Sequence, residues 1–240
     1  LSDVNTDLNA QLLSWEKGIV SELIDEIDEM ERTHIPEIEA RLEFSKSLEE
    51  RSIDNYSEQW KLAIDSIATL QVYNGLRLSP QLGLIPLRQD PDSGLWEFGH
   101  LQSGTLPTIV DGEYVLTSET GIVLVLLPGS DFWMGAENSG DKNADLRAKD
   151  TEGPVHLVNI ESYFLSKYEL TQAQWLRINE HNPAAYPVGT EVEPDPITSL
   201  HPMEQITWEE STEVLRRYDL RLPTEAQWEY ATRGVWTPSQ

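Results

Sequence analysis

The sequence predicts an α+β protein, and three observations carry that reading. From Thr6 to Met30 apolar residues recur every three or four positions. From Asn74 to Gly121 short β-prone runs alternate with turn signals. In the last third, three threonines each precede a helical pattern with Glu or Gln three residues later. The expected organisation is an acidic amphipathic helical region over residues 1–73, a short-strand connector over 74–120 and a mixed domain over 121–240.

The first region is read from Leu8, Leu12, Trp15, Ile19, Leu23, Ile27 and Met30, which share one helix face. Pro36 is expected to interrupt this helix, because proline has no amide hydrogen and its ring crowds the preceding turn. Ile38, Leu42 and Leu48 then mark a second helical stretch. Trp60, Ile64 and Ile67 mark a third after the turn-like Ser52-Ile53-Asp54-Asn55, giving a helical hairpin or small bundle. Fourteen acidic residues against four basic ones between Leu1 and Glu50 make its outer face a solvated acidic surface. A basic partner helix, or helical self-association, is the functional reading of the same pattern.

The connector holds LGLIPL, GLWEFGHL, TLPTIV and EYVLT, each closed by a turn such as Asp92-Ser93-Gly94 or Asp111-Gly112. The strongest strand follows: an apolar run from Ile122 to Leu127, a Pro128-Gly129 turn, and a returning strand through Phe132 and Met134. In ELTQAQW, QITWEES and LPTEAQW the pairs Thr171/Gln174, Thr207/Glu210 and Thr224/Gln227 have capping-box spacing, in which each side chain satisfies a helix-start amide. Trp175, Trp208, Trp228 and Tyr230 are expected to be packing anchors, with Trp228 facing the core, and Gly234 to be a left-handed helix stop.

Composition excludes several function classes. Seventeen Lys and Arg against 42 Asp and Glu leave a formal charge of -25, which repels phosphate backbones and anionic lipid, so neither nucleic acid nor membrane is expected as a partner. No run approaches the roughly 20 apolar residues of a membrane helix. Leu1 followed by SDVNTD resembles neither a start methionine nor a signal peptide, so a piece of a longer cytoplasmic protein is expected. With no Cys, thiolate metal ligands and thiol nucleophiles are closed to these 240 residues.

The five histidines, His34, His100, His156, His181 and His201, never fall at the i, i+4 spacing of a helical metal pair. His156, in an alternating segment, is expected on a strand as a hydrogen-bonded residue. One loop has a cation-like pattern: Asp141, Asn143 and Asp145 alternate and Glu152 is twelfth from Asp141, as in an EF-hand calcium loop. Leu146 stands where the sharp turn wants Gly, and Arg147 and Lys149 add positive charge. A plain solvated loop is therefore the stronger reading, with calcium the alternative.

Four separated motifs, LVLLPGSDFWMGA, EGPVHLVNIESYFLSKYELTQAQW, HPMEQITWEES and DLRLPTEAQWEYATRG, resemble in order those of the sulfatase-modifying-factor, or formylglycine-generating-enzyme-like, domain family. The resemblance covers about Gly121 to Gly234 and implies an irregular, loop-rich α+β domain similar in topology to the C-type lectin fold. It further implies that these residues are the N-terminal half of such a domain. The second half would bring a GN-x-WEW motif, an RGGSW-like motif, calcium ligands and the copper-binding Cys pair of true oxidases. No family catalytic residue therefore has a position here to be carried onto. The iron site of the related sulfoxide synthases needs several histidines in a helical module, and the helical region offers His34 alone.

The segment from Trp60 through Gly104 also resembles the connector ahead of such domains in large bacterial multidomain proteins. The resulting expectation is a non-catalytic recognition or scaffold module, completed by the remainder of its own domain or by a protein partner. The alternative is a fragment of a formylglycine-generating-type oxidase. If the missing half supplies the cover, the run 122–127 and Trp133, Trp175 and Trp228 are left exposed.

Overall fold

A computed structural model of the chain describes residues 2–139 and 143–234, with side chains from residue 14 onward. The chain divides into two compact units, Leu1–Glu49 and Glu50–Gln240. Mixed helix and sheet make it an α+β protein.

The first unit is helical, as the periodicity requires, but Pro36 does not break it. Helix α1 (Ser2–Glu29) passes through a π-helical turn, Met30–His34, into α2 (Ile35–Lys46), and Glu29, His34 and Ile35 all keep right-handed helical dihedrals. The Ile35 amide donates to the Met30 carbonyl, five residues back instead of four. The wider turn takes up one extra residue and relieves the crowding a proline ring meets in a regular helix. It also explains a spacing in the sequence: Met30 and Ile35 are five apart where the stripe otherwise steps by three or four, and the π turn keeps both on one face. Along that stripe Leu23, Ile27, Met30, Ile35, Ile38 and Leu42 are exposed within the described residues.

The second unit begins within α3 (Leu48–Ser52) and continues into α4 (Ser57–Thr69), the third helical stretch of the sequence. Helix α4 packs not as part of a bundle but on a four-stranded antiparallel sheet ordered β1 (Leu84–Gln89), β2 (Trp96–His100), β5 (Val123–Leu127), β8 (Tyr163–Ser166). Trp60, Ala63 and Ile67 of α4 form the main core with Leu84, Phe98, Leu124 and Leu126. Strand pleating explains the choice: Phe98 pairs with Leu124 and Leu126 with Phe164, so these side chains share one sheet face. Trp60 is anchored as its indole donates to the Ser52 carbonyl at 2.8 Å. Helix α4 and the connector thus share one core with the strands that follow, and the run 122–127 is buried among β2, β8 and α4 as its continuous apolarity predicts, not left exposed for want of a covering half.

Two hairpins complete the strands. The pair β3 (Thr108–Val110) and β4 (Glu113–Val115) turns at Asp111-Gly112, and β6 (Ser130–Met134) pairs with β7 (His156–Ile160). Three short helices follow: α5 (Gln172–Asn179), α6 (Trp208–Arg216) and α7 (Glu225–Arg233). On the β6–β7 ribbon Phe132 and Ile160 face Tyr230 of α7, which places Trp133 and Leu157 on the outer side. A third small core joins Trp175 and Ile178 of α5 to Val214 of α6. Trp175 is fully buried, a packing anchor and not one of the residues left exposed. Among the described residues no helix is long and apolar enough to cross a membrane.

Candidate functional site

The capping boxes build the wall of the site. Thr171 accepts the Gln174 amide at 3.2 Å while the Gln174 side chain accepts the Thr171 amide at 3.1 Å. Thr224 and Gln227 repeat this reciprocity at 3.2 and 3.0 Å. Thr207 accepts the Glu210 amide at 3.1 Å, without a return bond from the Glu210 side chain. Gly234 stops α7 at φ 61°, in the left-handed region glycine favours.

Trp228 does not face the core: it is 62% exposed, whereas Tyr230 is fully buried. Two residues apart on a helix are about 200° apart, so the buried arc through Ala226 and Tyr230 turns Trp228 outward. Trp208, the first residue of α6, is exposed as well. Of the four aromatic anchors expected, Trp175 and Tyr230 pack inward.

Between the sheet face carrying Leu84, Leu124 and Leu126 and the wall formed by α6 and Tyr218–Pro223 lies a cavity of about 680 Å³. Arg221, Leu222, Pro223 and Gln227, all within RLPTEAQW, contribute to its lining. Its serines are committed to the backbone: Ser211 Oγ donates to the Thr207 carbonyl at 2.8 Å, Ser166 Oγ to the Tyr168 carbonyl at 2.6 Å, and Ser162 Oγ accepts the Gly129 amide at 2.9 Å. Tyr163 donates to the Gln227 carbonyl at 2.6 Å, and burial pushes its phenol up to about 12. None of these hydroxyls is held by a base that would activate it.

Two buried polar atoms of the lining are different. His100, the last residue of β2, and Trp175 of α5 both line the cavity, and neither His100 Nδ1 nor Trp175 Nε1 has a hydrogen-bond partner among the described residues. His100 is 6% exposed and Trp175 fully buried. Burial holds the imidazole down at about 4, against opposing contributions from the Tyr218 backbone carbonyl and the Asp219 charge. The ring is therefore neutral near pH 7. The walls are mainly apolar, with Asp219 and Arg221 also in the lining. A cavity of this kind suits a small molecule with an apolar body. Nothing in the sequence motifs singled out His100 or the cavity, because the lining is gathered from segments between Leu76 and Gln227.

On the other sheet face a second polar cluster is fully satisfied. Glu97, with no exposed surface, accepts from Arg88 Nε at 3.0 Å, Tyr114 Oη at 2.8 Å and Lys167 Nζ. Lys167 also reaches Asp90 at 3.2 Å, and the Arg88 guanidinium lies 4.2 Å over the Tyr114 ring. Burial opposes ionisation of Asp90, but bonds from Ser93 and Lys167 prevail and hold it at about 2. With two cations facing two carboxylates, this cluster ties the β3–β4 hairpin and the end of β8 to β2.

The cation-like loop is used differently from an EF-hand. Asn143 turns its amide nitrogen to the carbonyls of Trp133 and Gly135, at 2.5 and 2.9 Å, and Asp145 Oδ1 accepts the Arg147 amide at 2.8 Å. Glu152 is exposed, and its backbone carbonyl accepts from Ala136. Asp141 lies outside the described residues. Among those described, no three His, Asp or Glu side chains gather as a metal-binding group. His156 is on β7, its Nδ1 2.9 Å from the Pro154 carbonyl.

A family model described as sulfatase-modifying factor enzyme 1-like domain matches residues 116–238, from just before β5 to beyond α7. No curated protein matches the chain.

Proposed function

This chain belongs to the sulfatase-modifying factor enzyme 1-like domain family, and on that premise we propose that it is a recognition or scaffold module within a larger bacterial protein, binding rather than transforming its ligand. The observation that carries this reading is the cavity over the β1–β2–β5–β8 sheet, walled mainly by apolar side chains such as Leu84, Leu124, Leu126 and Leu222. Such a lining gains free energy by covering apolar surface and orients its ligand through a few polar contacts. The hydroxyls of Ser162, Ser166, Ser211 and Tyr163 around it already donate to backbone or accept from it. Copper–thiolate oxidation, which the family resemblance implies for true oxidases, needs thiolates that these 240 residues do not contain.

The test pairs binding with chemistry. The purified chain is titrated with N-phenyl-1-naphthylamine, a neutral apolar fluorophore, and separately incubated in air with a Cys-containing peptide and Cu(I). Saturable dye binding that Leu126→Trp diminishes, with peptide mass unchanged, is the expected result. Conversion of the peptide thiol to an aldehyde with turnover would replace this reading with the oxidase alternative.

A further inference from the structure

We infer that the apolar stripe of the first unit docks a basic amphipathic helix of another protein, whose Lys and Arg side chains meet the carboxylates on both margins of the stripe. The stripe is continuous because the π turn at Met30–His34 carries it from α1 into α2. Leu23, Ile27, Met30, Ile35, Ile38 and Leu42 are each at least 42% exposed. From Ile19 to Leu42 it runs on the order of 35 Å, enough to seat a partner helix of equal length. A row of large apolar side chains left in water along one helix face marks an interaction surface, read by a partner helix that lays its own apolar face on it.

Charge chooses the occupant. Glu22, Asp25, Glu26, Asp28, Glu29 and Glu31 all lie within residues 18–31, a segment with no Lys or Arg. At about 100° per residue, Glu22, Glu26 and Glu29 border one side of the row Leu23, Ile27, Met30, and Asp28 and Glu31 border the other. These five bordering residues are exposed, and among the described residues none of their carboxylates has a Lys, Arg or His within ion-pair distance. Cationic side chains flanking an apolar helix face complement this surface, as residues at e and g flank the seam of a coiled coil.

Other occupants meet the same charges less well. A second copy, parallel in register or antiparallel about this segment, sets the block of carboxylates against itself, and like charges along a helix pair are destabilising. An anionic lipid surface is repelled, and helices that lie on membranes carry Lys and Arg on their polar face. A neutral helix covers the stripe and leaves both margins unmatched.

The experiment uses the intact 240-residue chain and two synthetic amphipathic peptides of about four heptads, both with Leu at a and d, one with Lys and the other with Glu at e and g. Calorimetry at low and high salt measures binding. The Lys peptide is expected to bind at least about tenfold tighter than the Glu peptide and to weaken as salt screens the margins. Ile27→Gln combined with Ile38→Gln keeps the charge and a good helix former at both positions, and should weaken the Lys peptide by at least about tenfold. Glu22→Gln, Glu26→Gln and Glu29→Gln together should narrow the gap between the peptides to about threefold. The unmodified chain carries a second readout should a variant lose helix: the Lys peptide should move the methyl resonances of Ile27 and Ile38 and leave those of the buried Ile85 and Ile122 in place. Lys-peptide binding that survives loss of the two isoleucines, or that leaves their methyl resonances still, is attraction to the net charge of -25 and overturns the docking surface. Equal binding of the two peptides, or binding of neither, overturns it as well. Sedimentation and vesicle flotation of the chain alone complete the test. A concentration-dependent dimer abolished by Ile27→Gln makes a second copy the occupant, and flotation with phosphatidylcholine vesicles abolished by the same change makes it lipid; either result replaces the basic helix.

Discussion

Tyr230 of α7 donates its phenolic hydrogen to the Pro128 carbonyl at 2.8 Å, joining the helix to the β5–β6 turn 102 residues earlier. Its ring stands edge-on to Phe132, 5.3 Å between centroids. One side chain thus fixes the α7 end of the fold through both packing and a buried polar contact. The neighbouring clamp reinforces it: Glu229 accepts the Gly135 amide at 2.8 Å and Arg233 donates to the Gly135 carbonyl at 3.0 Å. Gly135 sits at φ 91°, and a Cβ there would come 2.6 Å from the Glu152 carbonyl oxygen, so glycine is required for this approach.

The first prediction separates the two aromatics of WEY. Tyr230→Phe leaves the Pro128 carbonyl unpaired and is expected to cost about 1–3 kcal/mol. Tyr230→Ala adds a cavity and should cost about 3–5 kcal/mol. Trp228→Ala, on the exposed face, should stay within about 0.5 kcal/mol. Thr224→Ala falls between, at about 0.5–2 kcal/mol for a lost cap. Denaturant melts of the four variants give the order, and a Trp228 loss as large as that of Tyr230 would contradict the face assignment.

Residues close in sequence made much of this legible. Thr224 and Gln227 announce their own reciprocal bonds because capping is a three-residue relationship, and the Ile122–Leu127 run announces a buried strand. The orientation of Trp228 was not legible, since hydrophobicity ranks the indole above the phenol while helix phase, set by contact with Phe132, decides which is buried. The candidate site was less legible still. His100 and Trp175 are 75 positions apart in the numbering and are brought to one cavity only by the fold. Glu97 reads as one more acidic residue until the fold brings Arg88, Tyr114 and Lys167 to it.

The second prediction concerns the π turn at Met30–His34. If the wide turn exists to seat Pro36, deleting Thr33 restores four-residue spacing but forces the proline ring against a regular helix. Helicity should fall, the cost of an interior proline being about 3 kcal/mol. Combining the deletion with Pro36→Ala removes the clash and should return helicity to or above its original level. Circular dichroism of the three forms measures this. A deletion variant as helical as its parent would show that the π turn does not serve the proline.

The third prediction addresses the Glu97 cluster. Glu97→Gln leaves Arg88 and Lys167 facing each other with one carboxylate between them, and breaking a buried ion pair on one side costs about 3–5 kcal/mol. Because Glu97 is buried, added salt should recover little of that loss. Tyr114→Phe removes only one of three bonds to Glu97 and should cost about 1–3 kcal/mol. Melts at low and high salt distinguish this cluster from an exposed pair, whose small contribution salt would erase.

The last prediction is a pH dependence. His100 ionises near 6.5 in the unfolded chain but at about 4 in the folded one, so between these values the unfolded state binds more protons. Stability is then undiminished above the unfolded value, falls as pH drops from about 6.5 toward about 4, and levels off below. The full change is on the order of 3 kcal/mol. Asp90, held at about 2, adds a loss of the same sign only at lower pH, between its ordinary range and that value. The charged group facing His100 is Asp219, whose attraction for a protonated ring works against the shift without reversing it. His100→Gln cannot titrate, so the stability difference between wild type and variant isolates the imidazole from every carboxylate. That difference should change steeply from pH 7 to pH 4 and be flat from pH 7 to pH 8. A difference independent of pH across the acid range would mean the ring protonates as freely folded as unfolded, and that it does not sit sealed at the wall of the cavity.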